Sequence, residues 1–294
     1  LSLNDLISNN SSVTRIPYQH YLDSQFLLDK SKLAIIVNNA IAEDPLQSKS
    51  YLDAGFIIMR SQTAYLFINN SGLSKYPNKT YRINGTHTHA DLLSFELSIM
   101  GDDIVIDPGT FTYTSSPWER NEFRSTRKHN TITIDGHNQY GFDPHNLFIM
   151  EEYVKPSKLI LSYLIDRDEC IAAYENVENT YLTHERLFTL YKFSNSCDIK
   201  DNISSKGKRV LSAYYHFAPG LQLSLTNNSV EVSHPNFQSI KMTFDSKNEL
   251  KFEVAEGHVS PSYGIKLDSY TLIVSTVFID KCELSAKITW KRKE

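Results

Sequence analysis

"GFIIMRSQTAYLFI", residues 55–68, holds two short runs of large apolar, β-branched and aromatic residues on either side of a polar turn. Each run has strand length, and its residue types suit a pleated, half-buried surface. The pattern repeats down the chain in "DIVIDP", "NTITIDG", "LILSYLI", "ERLFTLYKF", "VLSAYYHF", "LQLSLT", "SVEVSH", "SIKMTF", "LKFEVAE", "YTLIVSTVFI" and "AKITWK", with turn residues between. The 17 Tyr and 15 Phe fit the same reading, because strands favour aromatic side chains. Many short strands at hairpin spacing imply an all-β fold, a large antiparallel β-sandwich over residues 46–294. Residues 1–45 differ. "LSLNDLISNN" and "SQFLLDKSKLAIIVNNAIA" carry weak helical spacing and run into the polar "EDPLQSKS". They are expected to form a lead-in or linker, or the tail of a preceding helical domain.

Bulk properties narrow the function. A chain of 294 residues can bury a large core without disulfide staples. The 30 Lys+Arg against 34 Asp+Glu leave a net charge of −4, which gives no basic field for nucleic acid and no polybasic membrane anchor. No apolar run reaches the roughly 18 residues of a membrane span. Cys170, Cys197 and Cys282 are far apart and lack CxxC spacing, so buried or free thiols are expected, with one disulfide still open. The start, "LSLNDLISNNSS", has neither an initiator Met nor a signal-peptide pattern, as a trimmed or fragmentary chain would.

The chemistry-bearing stretch is "NGTHTHADLLSFEL", residues 84–97. Read as a strand, it places His87, His89 and Asp91 on one face, continued by Leu93, Phe95 and Leu97. In "GDDIVIDPGTFTY", Val105 and Asp107 share a face and Pro108-Gly109 ends the strand. In "ERNEFRSTRKHNTITIDG", Ile132 and Ile134 read as core, so His129, Thr131 and Thr133 point the other way. Histidines with one carboxylate on rigid strands suit a divalent ion such as zinc, and three ligands leave a position open. The same spacing also fits histidines that are merely packed. Arg120, Arg124 and Arg127 read as a loop of forks matched to carboxylate or sulfate. A solvated loop paired to Glu119 and Glu122 is the alternative. Tyr113 closes "DPGTFTY" as packing or as an acid–base group. There is no GxSxG elbow, P-loop or HExxH.

"SYLDAGFIIMRS", "HTHADLLSFELSIMGDDIVIDPGTFTY" and "RNEFRSTRKHNTITIDGHNQ" together resemble the C-terminal β-sandwich module of the heparinase II/III-like polysaccharide lyases. "THERLFTL" and "YYHFAPG" resemble its later strands more loosely. The resemblance implies cleavage of uronic-acid polysaccharide by β-elimination. It assigns His87 as catalytic, with Arg124 on the substrate carboxylate and Tyr113 as a further candidate. It assigns His89, Asp107 and His129 to a Zn²⁺ ion of structural role. It also implies an acidic polysaccharide partner, an N-terminal α/α-toroid domain that completes the cleft, and a periplasmic or secreted setting. On this reading His87 lies open beside the metal without ligating it, and Arg124 is near. A carbohydrate-binding or scaffold module that keeps the metal, and a zinc hydrolase, are the competing classes.

Overall fold

The computed structural model describes residues 47–73, 87–143, 146–176 and 182–293. The expected lead-in, residues 1–45, lies outside them. Of the described residues, 63% are strand and 4% helical, so the fold is all-β.

One sheet has five strands in chain order: β1 (Lys49–Tyr51), β2 (Phe56–Arg60), β3 (Ala64–Asn69), β4 (Ser94–Ile99) and β5 (Asp102–Val105). A short helix α1 (Pro117–Phe123) and a 3-10 turn (Thr126–Lys128) follow. Then come β6 (Ile132–Ile134) and a small ribbon of β7 (Tyr140–Phe142) with β8 (Met150–Glu152). The second sheet uses β9 (Val154–Tyr163), β10 (Arg167–Asn176), β11 (Thr183–Tyr191), β12 (Ser196–His216), β13 (Gln222–Thr226), β14 (Ser229–Ser233), β15 (Phe237–Asp245), β16 (Lys251–Ser262) and β17 (Ile265–Arg292). Its path runs β13-β14-β15-β17-β12-β11-β10-β9, with β16 on β17 and β6 on β12. All pairings are antiparallel.

The two sheets meet through their inward faces. Ile57, Met59, Leu66, Ile68, Phe95 and Leu97 of the first sheet share one core with Phe188, Leu190, Ile199, Tyr215 and Leu272 of the second. Phe95 sets its ring edge-on to both Phe188 (6.0 Å) and Tyr215 (6.2 Å). Alternation carries this. In β12, Leu211, Ala213 and Tyr215 are buried, while the intervening Ser212 and Tyr214 are less so.

Three sequence expectations need correction. "YTLIVSTVFI" and "AKITWK" are one strand, β17, 28 residues long. It pairs with β12 from Thr271↔His216 to Thr289↔Ser196, so the short polar stretch inside it does not end the ladder. The strand after the histidines begins only at Ser94. Leu93 adopts φ 60 and Ser94 N–H donates to Asp91 O, a turn that removes His87, His89 and Asp91 from strand alternation. The arginine segment is helical rather than a loop. Ser116, Pro117 and Glu119 form a helix-start pattern, with Pro at the first helical position.

The three cysteines are buried and free. Burial pushes the Cys170 thiol up to about 12, so it is an inert packing group at neutral pH.

Candidate metal centre and its exposed rim

Three connections between strands converge above the first sheet. Residues 87–93 enter β4, residues 106–113 leave β5, and His129 sits between the 3-10 turn and β6. Asn130 joins them. Its Nδ2 donates to Phe95 O and to Ile106 O, both at 2.8 Å, and its Oδ1 accepts from His216 N–H at 2.7 Å. Leu92 is held on both sides, since its N–H donates to Gln139 Oε1 and its carbonyl accepts from Thr131 Oγ1 and Gln139 Nε2. Arg186 adds a donor from the far sheet, with Nη1 reaching Leu93 O and Asn130 O at 2.8 Å each. Because all of the partners except the half-buried Ile106 are buried, these bonds fix the loops far more tightly than surface contacts would.

The loops bring His89, Asp107 and His129 together, with one donor atom from each within 4.8 Å of the others. His129 Nδ1 lies 2.6 Å from Asp107 Oδ2, and Asp107 Oδ1 accepts from Gly109 N–H at 2.8 Å. The rings of His89 and His129 are 5.1 Å apart. His89 is pushed down to about 3, first by burial and then by the neighbouring His129 charge, so its imidazole is neutral. Burial alone would raise the Asp107 carboxyl, but the His129 charge and hydrogen bond outweigh it and hold it below its ordinary value. For His129, burial opposes charge, yet Asp107 wins and raises it.

These residues fit a zinc-type ion. Two imidazoles and a carboxylate are its usual donors, and a tetrahedral ion with bonds of about 2.0–2.2 Å spaces its donors about 3.4 Å apart. The cluster would have to close by roughly an ångström, within the reach of side-chain rotation. His129 Nε2 supplies independent support, being buried with no hydrogen-bond partner. Such an orphan is expensive unless something occupies it. Asp91 is not in the cluster. It is a buried carboxyl that desolvation raises to about 6.

His87 stands apart, exposed at the rim. Its ring meets the Tyr113 ring edge-on at 5.8 Å. Two expected residues are thus brought together. Arg124 is placed differently. It is 0% exposed, its Nε donates to Asn121 Oδ1 and its Nη1 to Leu147 O, and its guanidinium lies 4.7 Å from the Phe142 ring centre. An Arg at a helix end, one turn after another Arg, folds inward here. Arg120 is equally enclosed at 1% exposed, and its guanidinium lies 4.6 Å from the Tyr113 ring centre. The arginine cluster was visible in the sequence; which member meets Tyr113 depends on helix phase, which a loop reading lacks. Thr110, 3.4 Å from His89 Nε2, had no sequence signal beyond its place in "DPGT".

The chain matches the family described as "Heparinase II/III-like, C-terminal" over residues 43–288. Among solved structures it is similar to the heparan sulfate lyase HepC from Pedobacter heparinus, with 18% identity and a TM-score of 0.68. It is also similar to heparinase III, with 16% identity and a TM-score of 0.71. In both cases the likeness covers 85% of this chain and 37% of the other, so the chain spans well under half the length of those proteins. At these identities the likeness is one of fold. None of the curated proteins matches the chain.

Proposed function

The chain belongs to the heparinase II/III-like family, as a C-terminal domain of it, and from that premise we propose that it is the β-sandwich part of a polysaccharide lyase that cleaves uronic-acid-containing polysaccharide by β-elimination. The observation that carries the reading is the contrast between neighbours: buried His89 and His129 clustered with a half-buried Asp107, beside an exposed His87 whose ring meets the half-buried Tyr113.

In the reaction the C5 proton leaves to a base, the C4–O4 bond breaks with formation of a C4–C5 double bond, and O4 takes a proton. His87 is the group on this chain placed to meet the uronate carboxylate or take the C5 proton, and Tyr113 is in ring contact with it. Arg120 supplies positive charge behind Tyr113 and Arg124 adds to the field, both from buried positions that do not face solvent. The second proton-transfer group comes from an N-terminal α/α-toroid domain in the complete protein. His89, Asp107 and His129 would hold Zn²⁺. When bound, it ties three loops together and adds fixed positive charge near His87. Asn130 and Arg186 keep those loops in register from below.

The test is incubation of the complete protein with a panel of uronate polymers while ultraviolet absorbance is followed. A conjugated double bond gives rising absorbance. Chain cleavage without absorbance would instead mean hydrolysis. Retention of polymer without any cleavage would mean a carbohydrate-binding or scaffold module.

A further inference from the structure

Tyr113 has neighbours that the proposed reaction does not use. Its ring stacks with Phe148 (centres 6.3 Å apart, planes at 16°) and with Tyr263 (6.0 Å, 14°). Tyr263 comes from the tight turn between β16 and β17, far along the chain. That turn is pinned to the loop after β5 by two main-chain hydrogen bonds. Ser260 N–H donates to Pro108 O and Gly264 N–H to Phe111 O, both at 2.7 Å. Gly264 has φ +75, the left-handed conformation such a turn needs.

A ring held by stacking and by the backbone of its own turn would be expected in a core. Tyr263 is instead 61% exposed. Trp118, on α1, is 71% exposed. Cationic groups lie close by. Lys266 Nζ sits 4.1 Å from the Phe111 ring centre and pairs with Glu119, and the buried Arg120 lies against Tyr113 and adds charge from behind it. A fixed aromatic face, open to solvent, next to His87 and among cations has a specific chemical complement. It is a pyranose ring, which presents an apolar C–H face to the aromatic and carries its acidic substituents at the edge.

We propose that Tyr263 is a substrate-binding residue whose outer ring face carries a sugar unit of the acidic polysaccharide, adjoining the unit at His87 and Tyr113. This rests on the lyase reading above. An ordered aromatic ring contributes contact area at low entropic cost, because two torsions are all that must be fixed. Tyr263 touches Tyr113 through ring stacking, so its contribution is to holding substrate. It binds ground state and transition state alike, and such an interaction appears in KM far more than in kcat.

The experiment compares wild type, Tyr263→Ala, Tyr263→Leu and Tyr263→Phe in the complete protein. It reads initial rates of ultraviolet absorbance, retardation in gels containing acidic or neutral polysaccharide, and thermal unfolding. Tyr263→Ala and Tyr263→Leu should raise KM about 3- to 10-fold, the range expected for one aromatic contact. In both, kcat should move much less, and retardation by acidic polymer should weaken in parallel. Tyr263→Phe keeps the ring face and should recover most of the affinity. The leucine variant keeps apolar bulk at the turn, so it answers the question if the alanine variant unfolds. Unchanged KM and retardation in the leucine variant overturn the proposal, and so does a loss confined to kcat. If wild type cleaves while these variants match it, this inference alone fails. If wild type neither cleaves nor is retarded by any acidic polymer, the lyase reading fails and takes this inference with it.

Discussion

His129 directs Nδ1 at Asp107 Oδ2, 2.6 Å away, and leaves Nε2 buried without a partner. One imidazole thus has one nitrogen committed and one waiting. His89 and His87 differ in the same sense, the first enclosed and the second exposed, although one residue separates them.

His87→Ala should abolish elimination in the complete protein by at least about 100-fold, the scale of a lost proton-transfer group. Metal content and melting temperature should stay near wild type. His89→Ala should lose metal and stability together. Elemental analysis alongside calorimetry checks this, and equal metal loss in the two variants would refute the division of roles.

Zinc affinity should fall on acidification. Asp107 holds the His129 proton above its ordinary 6.5, and that proton must leave before the nitrogen can ligate. His89, at about 3, needs no such step. Zinc titrations at pH 8 and pH 6 should therefore show weaker binding at pH 6. Affinity independent of pH over this interval would exclude His129 as a ligand.

Arg186 and Asp201 stand directly opposite each other in the β11–β12 register, both buried, with Arg186 Nε and Nη2 on the two carboxylate oxygens at 2.6 and 3.0 Å. His184 Nε2 adds a contact at 2.6 Å. Asp201→Ala should cost about 3–5 kcal/mol, because it strands a buried guanidinium. Burial would raise the Asp201 carboxyl, but Arg186 and His184 overcome this and bring it to about 2. A depressed carboxyl stabilises fully above its unfolded value of 3.8 and loses that stability as pH falls toward 2. His184, lowered mainly by burial, acts in the same direction from a higher pH. Its unfolded form gains a proton below 6.5, while the folded form resists. Urea midpoints should begin to fall as pH drops through 6.5, and fall further below 4. A flat profile would show that neither group is linked to folding.

β4 and β5 are joined by Met100 and Gly101, both at positive φ (53 and 87). That is the two-residue hairpin turn that favours Asn-Gly. Met100 is 37% exposed, so replacing it sacrifices little packing. Met100→Asn should stabilise the chain by about 1 kcal/mol, the scale of left-handed strain in a non-glycine residue. A lower melting temperature would mean that the Met100 side chain packs more than its exposure suggests.

Much of this molecule can be read from residue types. "GFIIMR" and "TAYLFI" are β2 and β3 because strand identity is carried locally by alternation and β-branched content. Grouping His89, Asp107 and His129 needed the family pattern, since nothing local says that three loops meet. Strand alternation does not give the phase of the histidines, because a single left-handed residue, Leu93, interrupts it and leucine gives no warning of that. The "SPWE" helix start, set among strands, is the signal that fixes the phase of Arg120. Tyr263 carried no signal at all. Its place beside Tyr113 is a product of how β16 and β17 reach back over the first sheet.

Asn130 ties Phe95, Ile106 and His216, residues drawn from three parts of the chain. The full set of those bonds cannot form until β4, the end of β5 and the end of β12 have all arrived, and distant contacts of this kind close slowly. The proposed metal nest should therefore be a late product of folding. An ion that meets only the finished chain cannot hasten its assembly; it can only delay its undoing. Zinc should leave the refolding rate of this chain unchanged and slow its unfolding, so that the ion acts as a latch on a door already shut.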